Sequence, residues 1–159
     1  MKALGDSHTA YDVMREYMII GAELDGKYQI PMLDRYTGHP GEDTVDFKDS
    51  FSLKIKNHRK LTVNFYIHDY EFEKIWNNPD RYLEHLKCFH SVIGPDFSMS
   101  VGENGMPFAM NIYQKYRNHA LPHYLSMNGI KVIPNVSIPP EYCYDWAFDG
   151  VPKRSTVAC

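Results

Sequence analysis

Two apolar runs of the chain lead into aspartate: LTVNFYI (residues 61–67) is followed by His68-Asp69-Tyr70, and SVI (91–93) by Gly94-Pro95-Asp96-Phe97-Ser98. If the two runs are neighbouring strands of one sheet, about 4.8 Å apart, Asp69 and Asp96 converge on a common ligand just past the sheet. Such a pair can hold a divalent cation such as magnesium or manganese, or divide into a general acid and a general base. Asn135, after a third run IKVI (130–133), adds an amide donor and a carbonyl acceptor, and Ser98 adds a hydroxyl. The same aspartates also suit structural work, since aspartate is favoured at helix caps and in Asx turns.

Other reactive side chains give weaker patterns. His68 suits proton transfer near neutral pH, but strand alternation turns it to the face opposite Asp69. His119 and His123 have a chelating spacing, yet no glutamate completes a zinc-protease pattern and Pro122 lies between them. Ser98 and Ser100 lie outside a G-x-S-x-G elbow. The stretch from Gly94 to Gly105 lacks the Gly-Lys-Ser/Thr ending of a phosphate loop and reads as a lid or plain connection. Lys54, Lys56, Arg59 and Lys60 form the one basic cluster. With 17 basic against 20 acidic residues and a net charge of −3, the chain has no global nucleic-acid footprint, so a solvated connector is the simpler reading of that cluster.

The elements that must position these groups follow from periodicity. A stripe of Ala10, Val13, Met14, Tyr17 and Met18 predicts an amphipathic helix over 8–20 capped by Ser7. A short extended piece (28–33) and the polar loop DRYTGHPGEDTVD (34–46) come next, with Phe47 and Phe51 on one helical turn. From residue 61 strands and helices alternate: strand 61–67, a helix through Phe72, Ile75 and Trp76 that breaks at Asn78-Pro79, strand 91–93, and a helix opened by Pro107. That last helix carries a stripe of Ala109, Ile112, Tyr113, Tyr116 and Ala120, with Pro122 expected to kink or restart it and Asn128-Gly129 to cap it. Strand 130–133, a short helix within 141–148 and a fourth strand STVAC (155–159) complete the series.

The pattern predicts an α/β fold: a four-stranded, mostly parallel sheet of successive βαβ units, open or half-barrel, preceded by a helical lead-in. The expected organisation is one structural domain, with residues 1–60 a lead-in packed on the core and 61–159 the core. In such sheets ligands bind outside the carboxyl ends of the strands, here the loops that begin at His68, Gly94 and Pro134. A 159-residue chain buries enough surface to fold without disulfide or metal. Its three scattered cysteines read as reduced thiols, and no apolar run approaches a membrane span or signal peptide, so the cytoplasm is the expected compartment.

The segments IIGAELDGKYQIPML, NFYIHDYEFEKIWNNPDRYL, GPDFSM, IYQKYRNHAL, NGIKVIPN and YDWAFDGVPKRSTVA, in this order, resemble a phage and mobile-element family known as domain of unknown function 4417. The resemblance runs from Ile19 to Ala158. It implies a viral or mobile-element origin and an intracellular setting, in the host cytoplasm if phage-encoded, and brings no catalytic residues with it. It does single out Asp69, Glu73, Trp76, Asp96, Ser98, Arg117, Asn118, Asn135, Asp145, Asp149 and Lys153. His68, Pro122 and Arg154 depart from the family pattern, and family chains usually continue past the STVA strand. An uncovered last strand would invite pairing with a second copy.

Three functions follow as expectations. One is a small-molecule or nucleotide-handling site, metal-assisted or not, with Asp69 and Asp96 as ligands or acid and base and with Ser98, Asn135, Arg117, Asn118, Asp145 and Asp149 around the ligand. Another is a non-catalytic phage protein that binds a host factor or sequesters a signalling nucleotide. The third is nucleic-acid binding through the Lys54 to Lys60 cluster.

Overall fold

The structure, a computed structural model, describes residues 12–159. A two-stranded antiparallel ribbon, β1 (Leu24–Asp25) and β2 (Ile30–Pro31), precedes the main sheet. That sheet contains β3 (Asp43–Asp46), β4 (Leu61–Asn64), β5 (Ser91–Ile93) and β6 (Val132–Ile133), paired in chain order and parallel throughout. Helices α1 (Asp69–Asn77) and α2 (Asp80–Leu86) connect β4 to β5, and α3 (Phe108–Met127) connects β5 to β6. A short α4 (Tyr144–Ala147) follows. The expected α/β architecture with a four-stranded parallel sheet is therefore present.

Register explains why the sheet has one apolar face. Val45, Val63, Val92 and Val132 are direct neighbours across all four strands and pack into the core with Phe65, Phe72, Ile75 and Leu121. Side chains one residue away point to the other face, where Thr62 and Ser91 share a 2.8 Å hydrogen bond and Thr62 also accepts the Gly41 N–H.

The fourth strand is not the expected one. Residues 155–159 contribute a single parallel bridge, Ala158 to Asn135, with two backbone hydrogen bonds beside the end of β6. The fourth strand is instead Asp43–Asp46, inside the segment read as polar loop. As an outer strand it commits only Val45 to the core, so it shows no alternation that a sequence pattern could register. A boundary at residue 60 thus runs between two paired strands.

The N-terminal helix also differs. Its cap Ser7 and residues 8–11 lie outside the described residues. From Asp12 onward there is one 3₁₀ turn, Glu16–Ile19, preceded by Arg15 in the left-handed region at φ 51°. The Asp12 carboxylate accepts the backbone N–H of Arg15 and of Glu16, at 2.7 and 3.1 Å, and so holds the start of the turn at Glu16. Pro122 neither stops nor restarts α3, which runs through to Met127.

The first half of α3 buries polar side chains where an apolar stripe was expected, while Ala120, with Leu121 and Leu125 beyond it, is buried in the apolar core. Ala109 is exposed, and Ile112, Tyr113 and Tyr116 are half-buried, whereas Asn111, Gln114, Lys115, Arg117, Asn118 and His119 are buried. These side chains hold loops. Asn111 accepts the Ser100 N–H and donates to the carbonyls of Ser100 and Met106. Asn118 accepts the Phe97 N–H at 2.7 Å and donates to the Phe97 carbonyl at 3.0 Å. His123 donates to the Met18 carbonyl at 3.1 Å. Truncating such a carboxamide leaves two buried backbone groups without partners. Asn118→Ala is expected to cost about 2–4 kcal/mol in urea-induced unfolding; a loss under 1 kcal/mol would show that the Phe97 loop is not held this way.

Candidate functional site

β6 ends at Ile133, and the chain then turns over the sheet as Pro134 to Pro140. Together with the Met99–Val101 loop, the middle turns of α3 and Trp146 and Ala147 of α4, this turn encloses a cavity of about 230 Å³. The cavity lies at the carboxyl end of β6, where the topology directs a ligand. Met99, Val101, Ile138 and Trp146 form apolar walls. Lys115, Asn118, His119, Asn135 and Ser137 supply the polar groups.

Lys115 is the chemically distinctive member. It is 4% exposed, and its ammonium has one hydrogen bond among the described residues, to the Ala147 carbonyl at 2.7 Å. Burial pushes its pKa down to about 8, against the opposing pull of Asp149 and Asp25. His119, one turn further along α3, is 1% exposed with Nδ1 2.9 Å from the Pro31 carbonyl oxygen. A carbonyl can only accept, so Nδ1 carries the proton and Nε2 the lone pair. Burial and the Lys115 charge hold the ring well below the ordinary histidine range, in its neutral form. Behind it, Gly150 has φ 74°, and a Cβ there would lie 2.6 Å from both His119 Nδ1 and the Pro31 oxygen. Only glycine allows this close approach of the three segments.

The residues singled out by sequence separate into several places. Asp69, in the first turn of α1, accepts the Ser98 N–H and, at 2.8 Å, the Ser98 hydroxyl. Asp96 accepts from Asn135 Nδ2 at 2.9 Å and from Ser137. Asn135 in turn accepts the Tyr66 hydroxyl at 2.9 Å. Burial, with Asp69 adding to it, raises the Asp96 pKa, and burial followed by Asp96 raises that of Tyr66 to about 12. The two aspartates are thus near each other, each with its own partners. Among the described residues no group of three or more His, Cys, Asp or Glu side chains could hold a metal ion.

Arg117 lies buried with its guanidinium 3.6 Å over the Phe97 ring, bonded to Gln114 and to Glu73 of α1, and Trp76 lies on it as well. Asp145 is exposed and paired with Lys27. Asp149 sits against Gly26, where any Cβ would collide with its carboxylate, and burial followed by Asp25 raises its pKa. Its Oδ2 is buried with no hydrogen-bond partner among the described residues. Asn118 and Asn135 therefore reach the cavity, while Asp69, Ser98, Asp96 and Arg117 brace its surroundings.

The basic cluster lies at the opposite end of the sheet. Lys60 pairs with Glu42, while Arg59 joins Lys87, His90 and Lys131 around a groove of about 330 Å³ at the amino ends of the strands.

Residues 22–159 match a protein family described as Domain of unknown function (DUF4417), and the chain belongs to that family. It is similar to two proteins called Gene 1 protein: 35% identical over 96 residues to that of Mycobacterium phage L5, and 32% over 96 residues to that of Mycobacterium phage D29. Each alignment covers 60% of this chain, but 41% and 34% of the respective relative, so the chain spans well under half the length of the curated relatives it matches. No solved structure matches it. It is a phage-type α/β protein, and no helix among the described residues is long and apolar enough to cross a membrane.

A charged lysine in this cavity opposes folding. With its folded pKa below the unfolded value, the unfolded chain keeps the Lys115 proton through the window from about pH 8 to 10.5, so stability rises with pH across it. Lys115→Met is expected to remove that rise, so that urea unfolding at pH 9.5 no longer shows more stability than at pH 7, while loss of the hydrogen bond to Ala147 costs the same at both pH values. A variant that keeps the rise would show that another group titrates there.

Proposed function

We propose that the chain binds a small molecule in the cavity at the carboxyl end of β6. The observation that carries this reading is Lys115, a buried cation with one hydrogen bond, beside a space walled by apolar side chains. Buried charge without full pairing is costly and concentrates at functional sites. A polar head, carboxylate or carbonyl, meets Lys115 and the carboxamides of Asn118 and Asn135, and an apolar body packs on Trp146 and Ile138. The volume, about 230 Å³, lies below the range of roughly 300–1,000 Å³ usual for drug-sized ligands, which favours a compact metabolite over a whole nucleotide. In this reading Asp69 and Asp96 hold the 94–98 loop and the Asn135 turn in place. The setting is the host cytoplasm, in keeping with three free thiols.

Benzoate and 2-oxobutanoate are the test ligands. Saturable binding of at least one, seen as a change in tryptophan emission and a raised melting temperature, and lost in Val101→Trp, is the expected result. No binding of either, or binding unaffected by that plug, would remove the cavity as the site.

A second reading, an interface for nucleic-acid phosphates, is favoured by the gathering of Arg59, Lys87, His90 and Lys131 at the other end of the sheet. It expects a 12-nucleotide single strand to bind with an affinity that falls steeply with salt and weakens in Arg59→Glu/Lys131→Glu. Anisotropy unchanged in 20 mM salt would dismiss it.

A further inference from the structure

We propose that Lys115 is a nucleophile that captures an aldehyde or ketone in the cavity as an imine. This rests on the small-molecule reading above and names its ligand class. A lysine amine becomes a competent nucleophile when an apolar site withholds the water that would otherwise stabilise its ammonium form. The geometry provides that. Lys115 is 4% exposed, it projects from α3 into a space walled by Met99, Val101, Ile138 and Trp146, and its one hydrogen bond among the described residues leaves most of its donor capacity unused. The downward displacement of its pKa has the same cause and enlarges the unprotonated fraction near neutral pH.

A proton carrier stands beside it. His119 lies four residues along the same helix and lines the same cavity, a spacing that sets Cβ atoms about 5–6 Å apart. Its Nδ1–H is committed to Pro31, so Nε2 is the nitrogen able to accept a proton, and Gly150 and Pro31 at its back fix the ring. The step balances without any redox partner. The amine lone pair forms a C–N bond to the carbonyl carbon as the C=O π pair moves to oxygen. The adduct nitrogen loses a proton to Nε2, which passes it to the oxygen to give a neutral carbinolamine; the hydroxyl then takes a second proton from solvent and leaves as water as the nitrogen lone pair forms the second C–N bond, and the resulting iminium returns a proton to solvent through Nε2. Amine plus carbonyl becomes imine plus water. Asn118 and Asn135, which also line the cavity, are the amide donors available to a carbonyl oxygen or an adjacent carboxylate. A merely anion-binding lysine would not need so apolar a wall, since imine formation, unlike ion pairing, ends with a neutral or less hydrated adduct and free water.

The test uses the full chain with butanal and with 2-oxobutanoate, each in the presence of cyanoborohydride, followed by peptide mapping by mass spectrometry. Lys115 should be reductively alkylated by at least one carbonyl at least tenfold faster than exposed Lys54, Lys56 or Lys153. Val101→Trp should abolish labelling at Lys115 and leave the surface lysines labelled. Labelling confined to surface lysines overturns the proposal. If benzoate still raises the melting temperature in that case, the imine falls and the binding cavity stands; if benzoate and 2-oxobutanoate both fail to bind, the two fall together. Loss of benzoate binding in wild-type protein after cyanoborohydride trapping by butanal places the adduct in the cavity, and unchanged benzoate binding after full trapping places it elsewhere.

Discussion

Buried backbone must find hydrogen-bond partners, and two long irregular segments of this protein, 94–107 and 134–150, have little secondary structure to supply them. Helix α3 supplies them instead. Asn111 holds the backbone of Ser100 and Met106, Asn118 that of Phe97, Lys115 that of Ala147, His119 that of Pro31 and His123 that of Met18. One helix therefore fastens segments from both ends of the chain, and it can do so only because its inward face carries polar side chains beside the apolar Ala120, Leu121 and Leu125. The cavity is a by-product of that arrangement. Loops held away from α3 by side-chain bridges leave room that closely packed apolar faces would not.

The sheet imposes the complementary constraint. The row Val45, Val63, Val92 and Val132 fixes the strand register, since a slip of one residue would send these valines to the side where Thr62 and Ser91 pair. Register in turn sets the height at which β5 and β6 end, and so where Gly94 and Asn135 emerge. A Cβ on Gly94 would sit 3.3 Å from the Pro122 ring, so the end of β5 packs directly on α3.

Much of this was legible in the chain. β4, β5 and β6, the break between α1 and α2 at Asn78-Pro79, and the start of α3 after Pro107 all follow from β-branched runs and turn residues, and the carboxyl-end location of the cavity follows from topology. The candidate chemistry was less so. Asp69 and Asp96 carried the right signal for strand ends, but their partners Ser98, Asn135 and Ser137 are set by loop conformation, which periodicity does not describe. Lys115 was missed because α3 was read through its apolar residues. A usable signal was present: QKYRNH places six consecutive polar or aromatic residues in the middle of a helix whose flanks are apolar; such a run goes right round the helix, so some of its polar groups must face inward and find partners there. β3 was hidden for a simpler reason, having one core residue among four.

The position of β3 has a consequence for how the protein behaves in bulk. It is an outer strand of the sheet, and its exposed edge carries Asp43, Thr44 and Asp46 around a single valine. Carboxylates on an open edge repel an identical edge on another molecule and so discourage strand-to-strand growth. The protection is local: four residues at one border of the sheet decide it, whatever the net charge of the chain as a whole.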